Sequence, residues 1–225
     1  MPIAPGVVLT LPKQTLRIGE MHYSLKDSIS IARGSIAAIV GNNGTGKSSL
    51  LNAIYDTQYK GKLKIAPHVA LDVDVSGSVT AMPQDVKDLL PAWLRYRDVE
   101  SLFFERLSGD GWSNRQREAL TNLLIADLSG GQRQKLALDF LLRLSPDLMI
   151  LDEPLSALDH NSSLLALDIL KSHVMRTSTA ALITLHDLFL LKESGASIIH
   201  LNEFDSTLAR ISFQTYQKRI ACYAK

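Results

Sequence analysis

The chain has 225 residues, enough to bury a proper core as one domain or as a domain with a subdomain. Its 24 Lys and Arg against 23 Asp and Glu leave a formal net charge of +1, which gives no ground for the sequence-independent attraction to a phosphate backbone seen in strongly basic DNA-binding proteins. A single cysteine, Cys222, excludes an internal disulfide framework, the N-terminus lacks a signal-peptide pattern, and no apolar stretch approaches the roughly 18 to 20 residues of a membrane-spanning helix.

From Val7 to Ile31, short β-prone pieces (VVLTL, TLRI, SISI) broken by Pro, Gly and Asp predict antiparallel strands. The texture then changes to α/β. Residues 35–40 (SIAAIV), 148–151 (LMIL) and 180–185 (AALITL) are apolar without alternation, as central strands covered on both faces should be. Gly41, Asp152 and His186 follow these runs at once. In open parallel sheets ligands bind beyond the carboxyl ends of the strands, so the three places should converge on one site. Between about 85 and 127 the runs RDVESLFFERL and SNRQREALTNLLIADL, with no strand candidate, predict a helical insert whose apolar load includes Trp93, Phe103 and Phe104. The tail after Leu201 is too short for an added regulatory domain.

The stretch GNNGTGKSSL, residues 41–50, follows directly on IAAIV. Gly41, Gly46, Lys47 and Ser48 fit G-x-x-x-x-G-K-[ST]. A plain Gly/Asn turn would carry some of these residues too, but the loop lies between an apolar strand and the helical pattern SSLLNAIY, which is the setting a phosphate cradle requires. Glycines let backbone N–H groups surround a β-phosphate, and the following helix presents its positive end to the same charge. Lys47 is placed to reach the β- and γ-phosphates and the Ser48 hydroxyl to ligate Mg²⁺.

A second phosphate-binding pattern begins at Leu128, LSGGQRQKLAL. Ser129 and Gln132 have the S-x-x-Q spacing of a helix capping box, ahead of an apolar stripe at Leu136, Ala137, Phe140, Leu141 and Leu144. Capping alone does not ask for two consecutive glycines. Gly130 and Gly131 expose the helix N-terminal amides, so the same local structure makes a second anion site. One γ-phosphate cannot easily use both helix starts from a single subunit if they lie on different subdomains, which suggests a dimer.

GNNGTGKSS, MPQD, LSGGQ, LMILDEP, SALD and LITLHD occur in the order and approximate spacing of the nucleotide-binding subunit of ABC (ATP-binding cassette) transporters, and the resemblance runs from about residue 7 to about 202. It implies an α/β fold: a P-loop ABC-type ATPase core with a mainly parallel sheet and helices on both faces, an N-terminal antiparallel β subdomain and a small helical insert. Residues 1–225 form one domain on this reading, with 1–84 and 128–225 as the nucleotide-binding core and 85–127 as the helical subdomain. Gly41, Asn42, Asn43, Gly44, Thr45, Gly46, Lys47, Ser48 and Ser49 resemble the Walker A loop. Gln84 resembles the Q-loop residue that touches Mg²⁺ and the attacking water. Asp152 resembles the Walker B carboxylate, Glu153 the general base or water-polarising residue, Asp159 the D-loop aspartate and His186 the switch histidine. Ser129, Gly130, Gly131 and Gln132 resemble the signature, which in the family acts on ATP held by the opposite subunit. ATP and Mg²⁺ are the cofactors implied. The partners implied are a second copy or a homologous ATPase subunit and permease-type integral membrane subunits, with no nucleic acid, and the implied location is cytoplasmic, on the inner face of the cell membrane.

Some of this chemistry stands on residue types alone. Asp152 and Glu153 are adjacent, so on a strand they would point to opposite sides, one to a metal and one to a water in line with the γ-phosphate. A histidine at a strand end is by itself unremarkable, and the role of His186 rests on its place after the third apolar strand. Two departures from the family pattern stand out. The aromatic that usually stacks on adenine has its nearest counterpart in Tyr23, at short spacing and beside His22. The stretch between Gln84 and Leu128 is also compact for the helical subdomain. Three functional classes follow: a transporter ATPase subunit, a mechanical ATPase that transmits force to an envelope process such as lipoprotein release or cell division, and a soluble cassette ATPase of DNA repair or translation. The last usually carries a long heptad coiled coil or a second cassette, and this sequence has neither.

Overall fold

The computed structural model describes residues 6–57, 68–103 and 120–223. Strands β1 (Val7–Leu11), β2 (Gln14–Ile18), β3 (Met21–Leu25) and β4 (Ile29–Ala32) occupy the N-terminal stretch. The three β-prone pieces fall in β1, β2 and β4, while β3 lies outside them. β1 pairs antiparallel with β4 and with the short β7 (Asp74–Val75). β2 pairs antiparallel with β3 and with β6 (Val69–Ala70).

The three apolar runs become β5 (Ile36–Val40), β9 (Leu148–Leu151) and β10 (Ala180–Thr184), and every residue in them is buried. β10 lies between the other two and runs parallel to both. β8 (Val79–Met82) adds a parallel strand beside β9, β11 (Ser197–Asn202) adds one beside β5, and β12 (Thr207–Ile211) pairs antiparallel with β11. The described strands form a large mixed sheet in the order β6-β2-β3-β12-β11-β5-β10-β9-β8 and a small sheet β4-β1-β7.

Alternation divides the central strands between two cores. Ala38, Val40, Met149, Leu151, Ala181 and Ile183 face a layer built with Leu138, Leu141, Leu167 and Leu170. Ala37, Ile39, Leu148, Ile150, Ala180 and Leu182 face Leu50, Leu51, Ile54 and the N-terminal strands. Runs without polar interruption were required because both faces are covered. A fully buried Ile or Leu in these layers contributes roughly 1.5–3 kcal/mol of transfer free energy.

The described α-helices are α1 (Lys47–Asp56), α2 (Tyr96–Phe103), α3 (Gly130–Leu144), α4 (His160–Thr177), α5 (Leu188–Ser194) and α6 (Phe213–Tyr223). Gly195, with φ of 63°, ends α5.

The insert corrects one expectation from the sequence. The helical reading of SNRQREALTNLLIADL does not hold to its end: residues 121–124 turn, and Ile125–Asp127 is a single 3-10 turn. The backbone there is taken up elsewhere. The N–H groups of Tyr96 and Arg97 donate to Leu123 and Thr121, those of Ile125 and Ala126 donate to Leu94 and Ala92, and Arg95 and Leu124 form an antiparallel bridge. Residues 104–119, with Phe104 and the first part of that run (113–119), lie outside the described residues. Leu90, Tyr96, Val99, Leu120, Ile125 and Leu128 form a small core that leans on Leu136 of α3. Trp93 is not part of it, being 75% exposed.

Candidate functional site

The chain turns from β5 into α1 through the glycine-rich loop. Gly46 has φ of 92°, and a Cβ there would lie 2.5 Å from Ile18 Cγ2, so both the backbone twist and the packing of β2 require glycine. The first turn of α1 carries Lys47, Ser48 and Ser49. Lys47 is buried, and its ammonium donates to the carbonyls of Gly41 at 3.0 Å and Asn42 at 2.8 Å. Burial lowers its pKa below the usual lysine value, against the opposing pull of Glu153, Asp152 and Glu203.

This loop forms one wall of an open cleft of about 640 Å³, to which Asn43, Gly44, Gly46, Lys47, Ser48 and Ser49 contribute. Gln84, Glu153 and His186 line the same cleft. Residues that follow β8, β9 and β10 thus face the loop that follows β5, the convergence expected at the carboxyl edge of a parallel sheet. Three loop residues stand apart. The Thr45 side chain is fully buried, with its hydroxyl on the Asn42 carbonyl at 3.0 Å. Gly41 and Asn42 lie behind the loop, where the Asn42 amide donates to Glu203 at 2.8 Å.

Asp152 and Glu153 diverge for a different reason than strand alternation. β9 ends at Leu151, and Asp152 still donates its N–H to the Met82 carbonyl at 2.9 Å, as a continuation of the ladder. Glu153 then adopts φ of 48° in the left-handed region, a conformation that costs a non-glycine residue about 1–3 kcal/mol and recurs at functional sites. Thr184, fully buried at the end of β10, accepts the Glu153 N–H at 2.7 Å and donates to the Asp152 carboxylate at 2.7 Å. The Glu153 carboxylate meets His186 Nε2 at 2.7 Å, with both side chains partly open to the cleft.

Ser129 caps α3 with both halves of the capping box: its hydroxyl accepts the Gln132 N–H at 3.2 Å, and the Gln132 side chain accepts the Ser129 N–H at 2.8 Å. The glycines do separate jobs. A Cβ on Gly131 would lie 2.8 Å from the Ala157 carbonyl oxygen, whereas one on Gly130 would meet only the Ala157 Cβ at 3.9 Å. Gly131 is a close-packing residue, and Gly130 leaves the helix end uncovered. None of Ser129, Gly130, Gly131 and Gln132 lines the cleft around Lys47. Asp159 does not line it either. It caps α4, accepting the Ser162 N–H at 3.0 Å, and hydrogen bonds from the Ser162 hydroxyl first and then from this N–H keep its carboxyl below the usual value.

Tyr23 is a correction. Its ring is 1% exposed, and its hydroxyl donates to the Thr45 carbonyl at 2.9 Å, so it braces the loop from beneath. Burial holds its pKa up. A ring with no free face cannot stack on a base; strand alternation turns Tyr23 inward and leaves His22 exposed.

Two residues that sequence reasoning passed over belong to the site. Thr184 looks like any β-branched strand residue, and only its place one residue before the end of AALITL marks it. Gln134, also buried, was hidden within an amphipathic helix; a polar residue on the apolar side of that stripe was the available signal.

The ABC transporter family model matches residues 26–156. The chain is 32% identical over 209 residues to the aliphatic sulfonates import ATP-binding protein SsuB 2 of Agrobacterium fabrum, covering 84% of this chain and 76% of that protein. It is 32% identical over 179 residues to the zinc import ATP-binding protein ZnuC of Wolbachia pipientis wMel, covering 76% and 70%. Its fold matches a dimeric bacterial ABC transporter cassette with a TM-score of 0.62 at 22% identity, over 90% of this chain and 97% of that one. The chain belongs to the ABC transporter family, as its nucleotide-binding ATPase subunit.

Proposed function

We propose that this chain binds ATP with Mg²⁺ in the cleft between the glycine-rich loop and Glu153, hydrolyses it, and in doing so closes and opens a dimer that drives permease-type membrane subunits. The observation that carries this reading is the convergence of Lys47, Ser48, Gln84, Glu153 and His186 on one cleft. The loop amides and Lys47 hold the phosphate chain, with the lysine exchanging its bonds to Gly41 and Asn42 for bonds to phosphate oxygens.

Oxygen donors suit a hard cation. The Ser48 hydroxyl, the Gln84 amide oxygen and the Asp152 carboxylate are such donors, and among the described residues no group of three or more His, Cys, Asp or Glu makes a metal cage. These donors fit Mg²⁺, which is commonly held by one or two carboxylates, here Asp152, together with substrate phosphates, and would neutralise charge developing on them. Glu153 orients a water and takes its proton, while His186 fixes the carboxylate from the other side. Ser129, Gly130 and Gln132 present the start of α3 to the nucleotide of a second copy, which agrees with their absence from this chain's own cleft.

No described helix is long and apolar enough to cross a membrane. Attachment to the inner face of the cell membrane would therefore come through the membrane subunits, with the insert of 85–127 as the subdomain that meets them. The import proteins among the relatives favour transport over force transmission. Replacing Glu153 by Gln tests the reading: ATP should still bind, turnover should fall at least about 10²-fold, and the variant should accumulate as an ATP-dependent dimer in size-exclusion chromatography. Wild-type turnover in Glu153→Gln would overturn it.

A further inference from the structure

Gln134 sits in the first turns of α3, two residues beyond the signature and on the opposite side of the helix from Gln132. It is 2% exposed. Its amide spans the gap to the segment that follows Glu153. Nε2 donates to the Glu153 carbonyl at 2.9 Å and lies 3.4 Å from Ser156 Oγ, and Oε1 accepts the Ala157 N–H at 2.7 Å. Ser156 Oγ itself donates to the Glu153 carbonyl at 3.0 Å.

These contacts close a frame around the left-handed residue of the site. Thr184 takes the N–H of Glu153 and Gln134 takes its carbonyl, so both peptide groups flanking the carboxylate are tethered from outside its own strand. The close approach of Gly131 to the Ala157 carbonyl brings the helix near enough for the amide to reach. Nothing softer intervenes: between the Ser129 cap and Gln134 lies a single helical turn with its backbone bonds in place, including Arg133 N–H to the Ser129 carbonyl at 2.9 Å.

We propose that Gln134 is a positioning residue that ties the start of the signature helix to the placement of Glu153, so that the two nucleotide sites of a dimer sense each other through it. The inference rests on the reading above, in which Ser129 to Gln132 serve the partner's ATP while Glu153 serves its own. Nucleotide settling on the helix start fixes α3, and Gln134 passes that constraint directly to the backbone of the general base in the other site. Such coupling is reciprocal between sites. A buried amide with both ends used is suited to the task, because a displacement of the helix cannot be absorbed without breaking one of its bonds.

Two substitutions in the full chain test it. Gln134→Glu keeps shape and the acceptor for Ala157 but offers no N–H to the Glu153 carbonyl; Gln134→Met keeps length and removes both bonds. In each, kcat should fall by about 10-fold to 10²-fold, the size of effect expected from a misplaced catalytic group. The Kd for ATP should stay within about 2-fold, since no loop residue is touched, and the Hill coefficient of hydrolysis should drop toward 1. Wild-type kcat and Hill coefficient in a folded Gln134→Glu protein overturn the proposal, as does a rise in Kd with kcat unchanged. Should neither variant fold, hydrogen exchange on the wild-type chain decides: ATP must slow exchange in 129–135 and 153–158 together, and independent responses overturn it. A wild-type chain that does not hydrolyse ATP or form an ATP-dependent dimer would instead defeat the function proposed above.

Discussion

The Thr184 hydroxyl donates to the buried Asp152 carboxylate at 2.7 Å, and the same oxygen accepts the next residue's N–H. One side chain on β10 therefore sets the position of both acidic residues at the end of β9. Because hydrogen bonds to charged groups are worth roughly 1.5–3 kcal/mol, Thr184→Val should lower kcat by about 10-fold to 10²-fold while the protein remains folded. Steady-state ATPase assays beside thermal melting separate this from a general loss of structure.

Tyr23→Phe distinguishes bracing from stacking. The substitution keeps the ring, so a stacking residue would notice nothing. As a brace, it leaves the Thr45 carbonyl without the phenol donor, and stability should fall by about 1 kcal/mol, with a small rise in KM for ATP and an unchanged kcat. Denaturant unfolding measures the first and initial rates the second.

The signature glycines should separate fold from function. Gly131→Ala forces a Cβ against the Ala157 carbonyl and should cost about 1–3 kcal/mol in stability. Gly130→Ala meets only an ordinary contact, so its melting temperature should hold or rise slightly through better helix propensity. On the function proposed above its ATPase rate should nonetheless drop, because the methyl would crowd the amide end offered to the partner's nucleotide.

Acid stability should depend on a residue away from the cleft. His200 is buried beside Tyr216, its Nδ1 accepts from Arg219 at 3.0 Å, and its pKa is lowered from 6.5 to about 4, mainly by burial and further by the Arg219 charge. The folded state therefore binds this proton less readily than the unfolded chain. The stability it supports is fully present above pH 6.5 and is lost as pH falls through that value toward 4, by roughly 2 kcal/mol at pH 5. Buried His173 shifts in the same direction. Unfolding free energies measured from pH 7 to 5 should show this slope, and His200→Asn should flatten it.

The sequence made some of this structure legible because certain residues have few uses. Runs such as SIAAIV and LMIL admit little besides a doubly covered strand, and the glycine-rich loop announces its turn. The capping box at Ser129 was readable because its two halves depend on local spacing alone. Tyr23 was misread because facing direction depends on strand register, which a bare spacing rule does not carry. The end of the insert was misread because its backbone groups pair with residues 92–97, a long-range exchange that periodicity does not encode. Thr184 and Gln134 went unnoticed since each acts by reaching an element far away in sequence.

The left-handed turn at Glu153 also shapes how this position can drift over generations. Asparagine, aspartate and glycine tolerate such a backbone, and glutamine keeps the native shape, whereas valine or isoleucine would clash with it. A chain carrying one of these tolerant residues at 153 should thus keep a folded cassette while losing the carboxylate that meets His186.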